Sequence, residues 1–406
     1  MNEGIIPYGR QHITEEDIAA VVEVLRGDFL TQGPAIPAFE QAFAEYVGAR
    51  FAVAVSNGTA ALHLSALAMN LKPGEKVITT PITFAATANC IRYCGGEVVF
   101  ADIDAETYLL DLNEVRKLLE SSPRGTYAGV IPVDFAGRAV DLEKFRALAD
   151  EFGLWMIEDA CHAPGGFFID SQGERQNCGN GKFADCAIFS FHPVKHIATG
   201  EGGMVTTNNE ETYHRLRALR THGITRDTRR FSNSPTEAFG LLEGKNAEYP
   251  GWYMEMQELG YNYRLSDIQA ALGLSQLSRA AGGLQRRREI AFKYRNAFRN
   301  LDGIQDRNAE ADDPASNGHA HHLYVIECDQ RAELYQSLRA KGVYSQIHYI
   351  PAHLMPNYKG LGWNHGDLPV AEAYYGRCIS LPMFPAITDA NVDRIINEIG
   401  SLLTSS

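Results

Sequence analysis

Leu154-Trp155-Met156-Ile157-Glu158-Asp159-Ala160-Cys161-His162 runs from an unbroken apolar stretch straight into two carboxylates. Apolar residues without polar alternation read as a strand covered on both faces, the burial typical of a parallel sheet between layers of helices. Just before it, Leu142–Phe152 reads as a helix that ends at Gly153, a residue suited to a C-cap. The same alternation continues in both directions. Strands are expected at Phe51–Val55, Lys76–Thr79, Glu97–Ala101, Gly129–Val133, Leu154–Glu158, Cys186–Phe191 and Met204–Thr206, with a further helix at Ala60–Met69. The expected fold class is therefore α/β, a mostly parallel central sheet flanked by helices.

Beyond the sheet, the stretch from Arg226 to about Gly251 is polar and irregular, and a long helical pattern follows from Leu265 to about Phe298, interrupted at Gly282-Gly283. A smaller α+β unit is expected after it, with strands at Leu323–Glu327 and Ser345–Tyr349, a helix at Arg331–Lys341 and a last helix from Thr388. This places a large domain at 1–264 and the connecting helix with a small domain at 265–406.

Composition narrows the function. The 406 residues carry 37 Lys+Arg against 50 Asp+Glu, a formal charge of −13, so no broad basic face is available for nucleic acid or an anionic membrane. Hydrophobic residues make up 45%, the balance of a globular enzyme rather than a disordered chain. The seven cysteines form no C-x-x-C pair and read as reduced thiols. No signal peptide or spanning segment is evident, and a cytoplasmic location is expected.

Ligands of open α/β sheets collect at the carboxyl ends of the strands, and three such ends carry unusual residues. In Val55-Ser56-Asn57-Gly58-Thr59-Ala60-Ala61 a strand end, a glycine turn and a helix start could hold an anion such as a phosphate. The same segment also reads as a plain junction with Thr59 as N-cap. Asp159, at the end of a buried strand, needs a partner: a cation, a metal, a protonated ring nitrogen or an ordinary ion pair. Ser190-Phe191-His192-Pro193-Val194-Lys195-His196 places a lysine just past an apolar strand, where a lowered pKa would make it an amine nucleophile able to form a Schiff base. Together the three match pyridoxal 5'-phosphate, which needs its phosphate held, its ring nitrogen protonated and its aldehyde tied to an amine. Phe84 lies beyond another strand end, where an aromatic could stack on the ring.

Phe29-Leu30-Thr31-Gln32-Gly33-Pro34, Gly58-Thr59-Ala60-Ala61-Leu62-His63, Glu158-Asp159-Ala160, Phe189–Lys195, Gly200-Glu201-Gly202-Gly203-Met204, His222-Gly223 and Gly260-Tyr261-Asn262-Tyr263-Arg264-Leu265 stand in that order along the chain. In these motifs the sequence resembles the nucleotide-sugar aminotransferases, the DegT/DnrJ/EryC1/StrS group of fold-type-I pyridoxal-phosphate enzymes. The resemblance implies that Lys195 carries the cofactor as a Schiff base and moves the proton, and that Asp159 pairs with the pyridine nitrogen. It implies His162 beside the ring hydroxyl, and Gly58, Thr59 and Ser190 on the phosphate. Asn262 would reach the phosphate from the other subunit of a homodimer with a shared active site. The family usually reads Asn-Ser-Gly-Thr or Ser-Ala-Thr at the cradle, so Ser56 and Asn57 depart from it.

Ile6-Pro7-Tyr8, Val133-Asp134-Phe135-Ala136-Gly137 and Gln346–Pro351 are similar to the branch that aminates UDP-sugars in pseudaminic acid synthesis. That likeness implies transfer of an amino group from L-glutamate to C4 of a UDP-linked 4-keto-6-deoxy-N-acetylhexosamine. Arg264 would face the diphosphate, and Tyr8, Thr31, Gln32, His322, His348 and Tyr349 would line the sugar site. A GDP- or dTDP-linked or 3-keto sugar is the alternative substrate. A non-catalytic ligand sensor is the alternative class, against which the presence of Lys195 and Asp159 argues.

Other signals are set aside. His319-Ala320-His321-His322 reads as a polar loop entering a strand rather than a metal site, and no metal is expected. Gly240–Asn246 falls short of a phosphate loop. Arg286-Arg287-Arg288 reads as a solvated helix face, and Trp252 as core packing.

Overall fold

The computed structural model describes residues 4–240, 248–308 and 317–404. Its seven-stranded sheet runs, from one edge to the other, Phe51–Val55, Gly203–Thr207, Cys186–Ser190, Trp155–Asp159, Tyr127–Ile131, Lys76–Thr79, Glu97–Phe100. Every pairing is parallel except the two made by Gly203–Thr207, which is antiparallel to both neighbours. The strands expected for this sheet are all present, with ends that differ by no more than two residues.

Burial explains the pattern. Gly203–Thr207 is buried throughout, and Trp155–Asp159 is buried from its second residue on. On one face Phe43 packs edge-on against Phe189 and Phe191, at centroid distances of 4.8 and 5.4 Å. Against the other face lies the helix Gly58–Ala68, in which only Thr59 and Leu67 escape full burial. A helix apolar nearly all round belongs inside, and this one carries its N-terminus to the end of the first strand. Leu142–Phe152 has the expected bounds, and Gly153 closes it at φ 74°, a left-handed conformation that costs glycine little.

The C-terminal part has its own core, in which Ile290, Tyr294 and Phe298 meet Tyr324, Ile326, Ile379, Ile395 and Ile399. Its sheet is antiparallel, in the order Ile304–Gln305, Tyr324–Cys328, Cys378–Leu381. Arg331–Ala340 and Asp389–Thr404 are helical as expected.

Several expectations are corrected. Ser345–Tyr349 is no strand: Gln346 exchanges two hydrogen bonds with Ser380, and then the Tyr374 hydroxyl takes the His348 carbonyl at 2.6 Å, which ends the ladder. The long helical pattern breaks at Arg279, between Asp267–Ser278 and Ala280–Phe298, with Gly282 and Gly283 inside the second helix. The break sits where the Arg279 guanidinium is drawn to buried Asp17, which also accepts from Ser275 and Gln276. The irregular stretch includes the short helix Pro235–Ala238, while most of Gly240–Asn246 lies outside the described residues. Trp252 is 65% exposed, edge-on to Phe239 and Tyr253 rather than in the core.

Arg287 is the largest correction. Far from solvated, it is 1% exposed and donates to the carbonyls of His321, His322 and Met383. It thereby ties the connecting helix to the loop that lines the site. Arg287→Met keeps the bulk but leaves three buried carbonyls without their donor, and should cost about 3–5 kcal/mol in urea denaturation. A loss below about 1 kcal/mol, the range of a surface ion pair, would show that the guanidinium does not fasten the loop.

Candidate active site

The three strand ends singled out in the sequence meet around one cavity of about 480 Å³. Gly58, Thr59, Phe84, Asp159, His162, Ser190, Lys195, Tyr8, His322, His348 and Tyr349 all line it. A larger cavity of about 770 Å³ is lined chiefly by the arginine-rich segment 215–230 and shares no lining residue with the first; the first is the one where the chemistry converges.

At the phosphate-cradle end, Asn57 rather than Thr59 is the N-cap: its side chain accepts from the Ala60 amide at 2.8 Å. That gives Asn57 a definite role and leaves the first helical residues, Gly58 and Thr59, lining the cavity. A Cβ on Gly58 would stand 2.9 Å from Ser190 Cβ, so only glycine lets the helix start approach the strand end this closely. Helix N-terminal amides and the Ser190 hydroxyl make a donor set for an anion.

Asp159 ends its strand 5% exposed, with Oδ2 accepting from Thr87 Oγ1 at 2.7 Å and Oδ1 from the Cys161 amide at 3.2 Å. Thr87 Oγ1 is in turn 2.8 Å from Thr83 Oγ1. The two threonines, which brace the carboxylate, are residues that sequence reasoning missed. Their signal was present: Thr83 and Thr87 lie one helical turn apart, directly after a strand end. Among the described residues no lysine, arginine or histidine forms an ion pair with Asp159, so the carboxylate is held by hydrogen bonds and open to a cationic partner. Lys195 Nζ likewise has no hydrogen-bond partner among the described residues, and burial holds its amine below the ordinary lysine range.

His162 Nδ1 accepts from the Ala136 amide at 3.3 Å, which places the proton of the neutral ring on Nε2, 3.2 Å from the Tyr349 hydroxyl. His322 lies against the same ring, with centroids 4.3 Å apart. His348 Nδ1 meets Ser380 Oγ at 2.9 Å, and Tyr8 packs 5.6 Å from the His348 ring. Burial holds His162, His319 and His322 well below the usual imidazole range and His348 down at about 3. The unfolded chain, with imidazoles near about 6.5, therefore binds more protons than the folded chain as the solution is acidified. This stability is fully present above about pH 6.5 and is lost as the pH falls toward the folded values. The urea midpoint should drop between about pH 7.5 and 5, and less so in His348→Gln; a flat profile would contradict buried neutral rings.

Four expected site residues lie elsewhere. Gln32 and Arg264 line the larger cavity. Thr31 bridges Ser266 and Asn262 bridges Thr221, and neither lines the cavity that holds Lys195. They flank the end of the first strand, where Val55 bridges Arg264.

The residues fit pyridoxal phosphate. A glycine-only approach and free helix-end amides suit a phosphate, a carboxylate without a cation suits a protonated pyridine nitrogen, and an unpartnered, desolvated amine suits an aldehyde.

Known proteins share this architecture. The chain is 36% identical to the spore coat polysaccharide biosynthesis protein SpsC of Bacillus subtilis, over 98% of this chain and 97% of that one. Helicobacter pylori PseC, an aminotransferase involved in the biosynthesis of pseudoaminic acid, superposes with a TM-score of 0.85 at 29% identity, over 99% of this chain and 100% of that one. The PLP form of the putative sugar aminotransferase Spr1654 from Streptococcus pneumoniae gives 0.84 at 27% identity, with 99% of each chain covered. Among the described residues no helix is long and apolar enough to cross a membrane. The model of the DegT/DnrJ/EryC1/StrS aminotransferase family matches residues 11–400, and the chain belongs to that family of pyridoxal-phosphate-dependent sugar aminotransferases.

Proposed function

We propose that the chain moves the amino group of L-glutamate to C4 of a UDP-linked 4-keto-6-deoxy-N-acetylhexosamine, a step of pseudaminic acid synthesis, with Lys195 and Asp159 as its catalytic residues. The observation that carries this reading is the convergence of an unpartnered Lys195 amine and a threonine-braced Asp159 carboxylate on one cavity.

When bound, pyridoxal phosphate supplies an electron-withdrawing ring that can carry an amino group from donor to acceptor. Gly58 and Thr59 amides and Ser190 Oγ would hold its phosphate. Asp159, fixed by Thr87 and Cys161, would keep a positive charge on the ring nitrogen. His162 and Tyr349 would face the polar edge of the ring and Phe84 would lie against its face. Lys195 Nζ would tether the group and would take and return the proton at the carbon that gains or loses nitrogen; desolvation raises its neutral fraction and suits it to that task. Tyr8, His322, His348 and Tyr349 line the side where the keto sugar enters.

Thr31, Gln32, Asn262 and Arg264 act, in this reading, in the active site of a second copy of the chain. Exposed Trp252, Met254, Met256 and Leu259, close in sequence to Asn262 and Arg264, are the apolar surface such a homodimer would cover. Residues 1–264 then form the cofactor-binding domain and 265–406 the connecting helices and small domain.

Purified protein given L-glutamate and UDP-, GDP- and dTDP-linked 4-keto and 3-keto sugars tests the substrate by mass spectrometry of the products. Amination of the UDP-linked 4-keto sugar above the others is expected; no aminated UDP sugar rejects the assignment. A dTDP-linked keto sugar is the second reading, supported by the likeness to DesI, solved in the presence of its TDP-sugar product, at 28% identity and a TM-score of 0.81.

A further inference from the structure

Asp134, Glu158 and Cys178 are buried together behind the strand that ends in Asp159, each with a side-chain ligand atom within 4.8 Å of the others. Successive residues of a strand face opposite sides of its sheet, so Asp159 lines the cavity while Glu158 points away from it. Both acids are 1% exposed. The Gly179 amide donates to both Glu158 oxygens at 3.0 Å, and the Val140 amide to Asp134 Oδ1 at 2.8 Å. Asp134 Oδ2 is buried with no donor assigned to it. Among the described residues no lysine, arginine or histidine pairs with either acid, and the other ionisable groups bearing on the pair are the Cys178 thiol and Asp159.

Two adjacent buried carboxylates cannot both stay charged with so few donors and no cation. A metal ion would also neutralise them, but only Asp134 Oδ2 among their four oxygens lacks an amide donor. A proton on the second lone pair of a Glu158 oxygen needs only that one acceptor.

We propose that Asp134 and Glu158 hold a single proton between them, with neutral Glu158 donating its O–H to Asp134 Oδ2, and that Glu158 is a positioning residue for Asp159. Burial first, and the Asp134 charge second, push the Glu158 carboxyl well above the usual range. The pair clamps a junction already tied by the backbone: the Asp134 amide donates to the Asp159 carbonyl at 3.0 Å, and the Asp159 amide to the Pro132 carbonyl at 2.9 Å. The shared proton also spares Asp159 a second negative charge on its neighbour. This last role rests on Asp159 as the partner of the ring nitrogen, whereas the shared proton does not.

Infrared spectroscopy of the cofactor-loaded protein tests it. Wild type should show a protonated-carboxyl C=O band at neutral pH that shifts in D₂O; E158Q should lack it, and D134N, which leaves Glu158 buried but takes the charge from its acceptor, should keep it at a higher frequency. Glutamine is a neutral stand-in for the acid, so the pH midpoint of the bound cofactor's visible band should be the same in E158Q as in wild type. Were Glu158 charged, E158Q would lower that midpoint by about one unit. Absence of the band, its persistence in E158Q, an unshifted band in D134N, a lowered midpoint in E158Q or one equivalent of bound zinc would overturn the proposal. D134N keeps the infrared test open should E158Q fail to fold. Failure to bind the cofactor at all would instead count against Asp159 and Lys195, while the infrared band still decides whether the two acids share a proton.

Discussion

Lys195→Ala should leave the fold intact and lower turnover by about 10³-fold or more, because, on the proposed assignment, it removes both the amine that holds the cofactor and the base that moves the proton. The position explains the size of the effect. Lys195 follows the strand Cys186–Ser190 in a turn closed by its own amide on the His192 carbonyl at 2.8 Å, so its side chain is delivered to the cavity by backbone geometry. The ring nitrogens that share the cavity belong to imidazoles, which are poor substitutes for a flexible primary amine. Single-turnover kinetics with L-glutamate in the cofactor-loaded variant measure the loss directly. A variant that keeps more than about a tenth of wild-type turnover would remove Lys195 from the chemistry.

Asp159→Asn carries the second-largest expected effect. The amide keeps the size of the carboxylate but not its charge, so nothing would hold a proton on the ring nitrogen. Breaking a buried charge pair costs about 3–5 kcal/mol, which corresponds to roughly 2 × 10² to 5 × 10³ in rate if the charge is needed in full at the transition state. Thr87→Val should produce a smaller loss in the same direction, about tenfold, because it removes the 2.7 Å hydrogen bond to Asp159 Oδ2 and leaves the charge in place. Comparison of kcat and KM for the two variants checks this: both should lose kcat more than they raise KM for the donor. Equal activity of Asp159→Asn and wild type would mean that the ring nitrogen needs no anionic partner.

Much of this site was readable in the sequence because its parts lie at strand ends, and continuous apolar strands announce themselves. Trp155–Asp159 and Cys186–Ser190 were legible by composition alone, and the residues that follow them fall into the cavity as a consequence of the parallel sheet. What was not legible depended on partners far away in the chain. Arg287 looks like one of three solvated arginines, and only the carbonyls of His321, His322 and Met383 turn it inward. Ser345–Tyr349 has the residues of a strand, but the Tyr374 hydroxyl competes for its carbonyl. Asn57 and Thr59 are both good caps by type, and the choice between them rests on which side chain reaches the Ala60 amide. Thr31, Gln32, Asn262 and Arg264 were grouped with the site by motif, yet within one chain they stand away from the Lys195 cavity.

Borohydride reduction of the freshly purified protein, followed by peptide mass spectrometry, probes the attachment of the cofactor itself. Expected is a yellow protein that bleaches on reduction and yields a single pyridoxyl-modified peptide, with the modification on Lys195. A colourless protein that takes up no added pyridoxal phosphate, or a reduced adduct on any other lysine, would contradict the assignment of that amine.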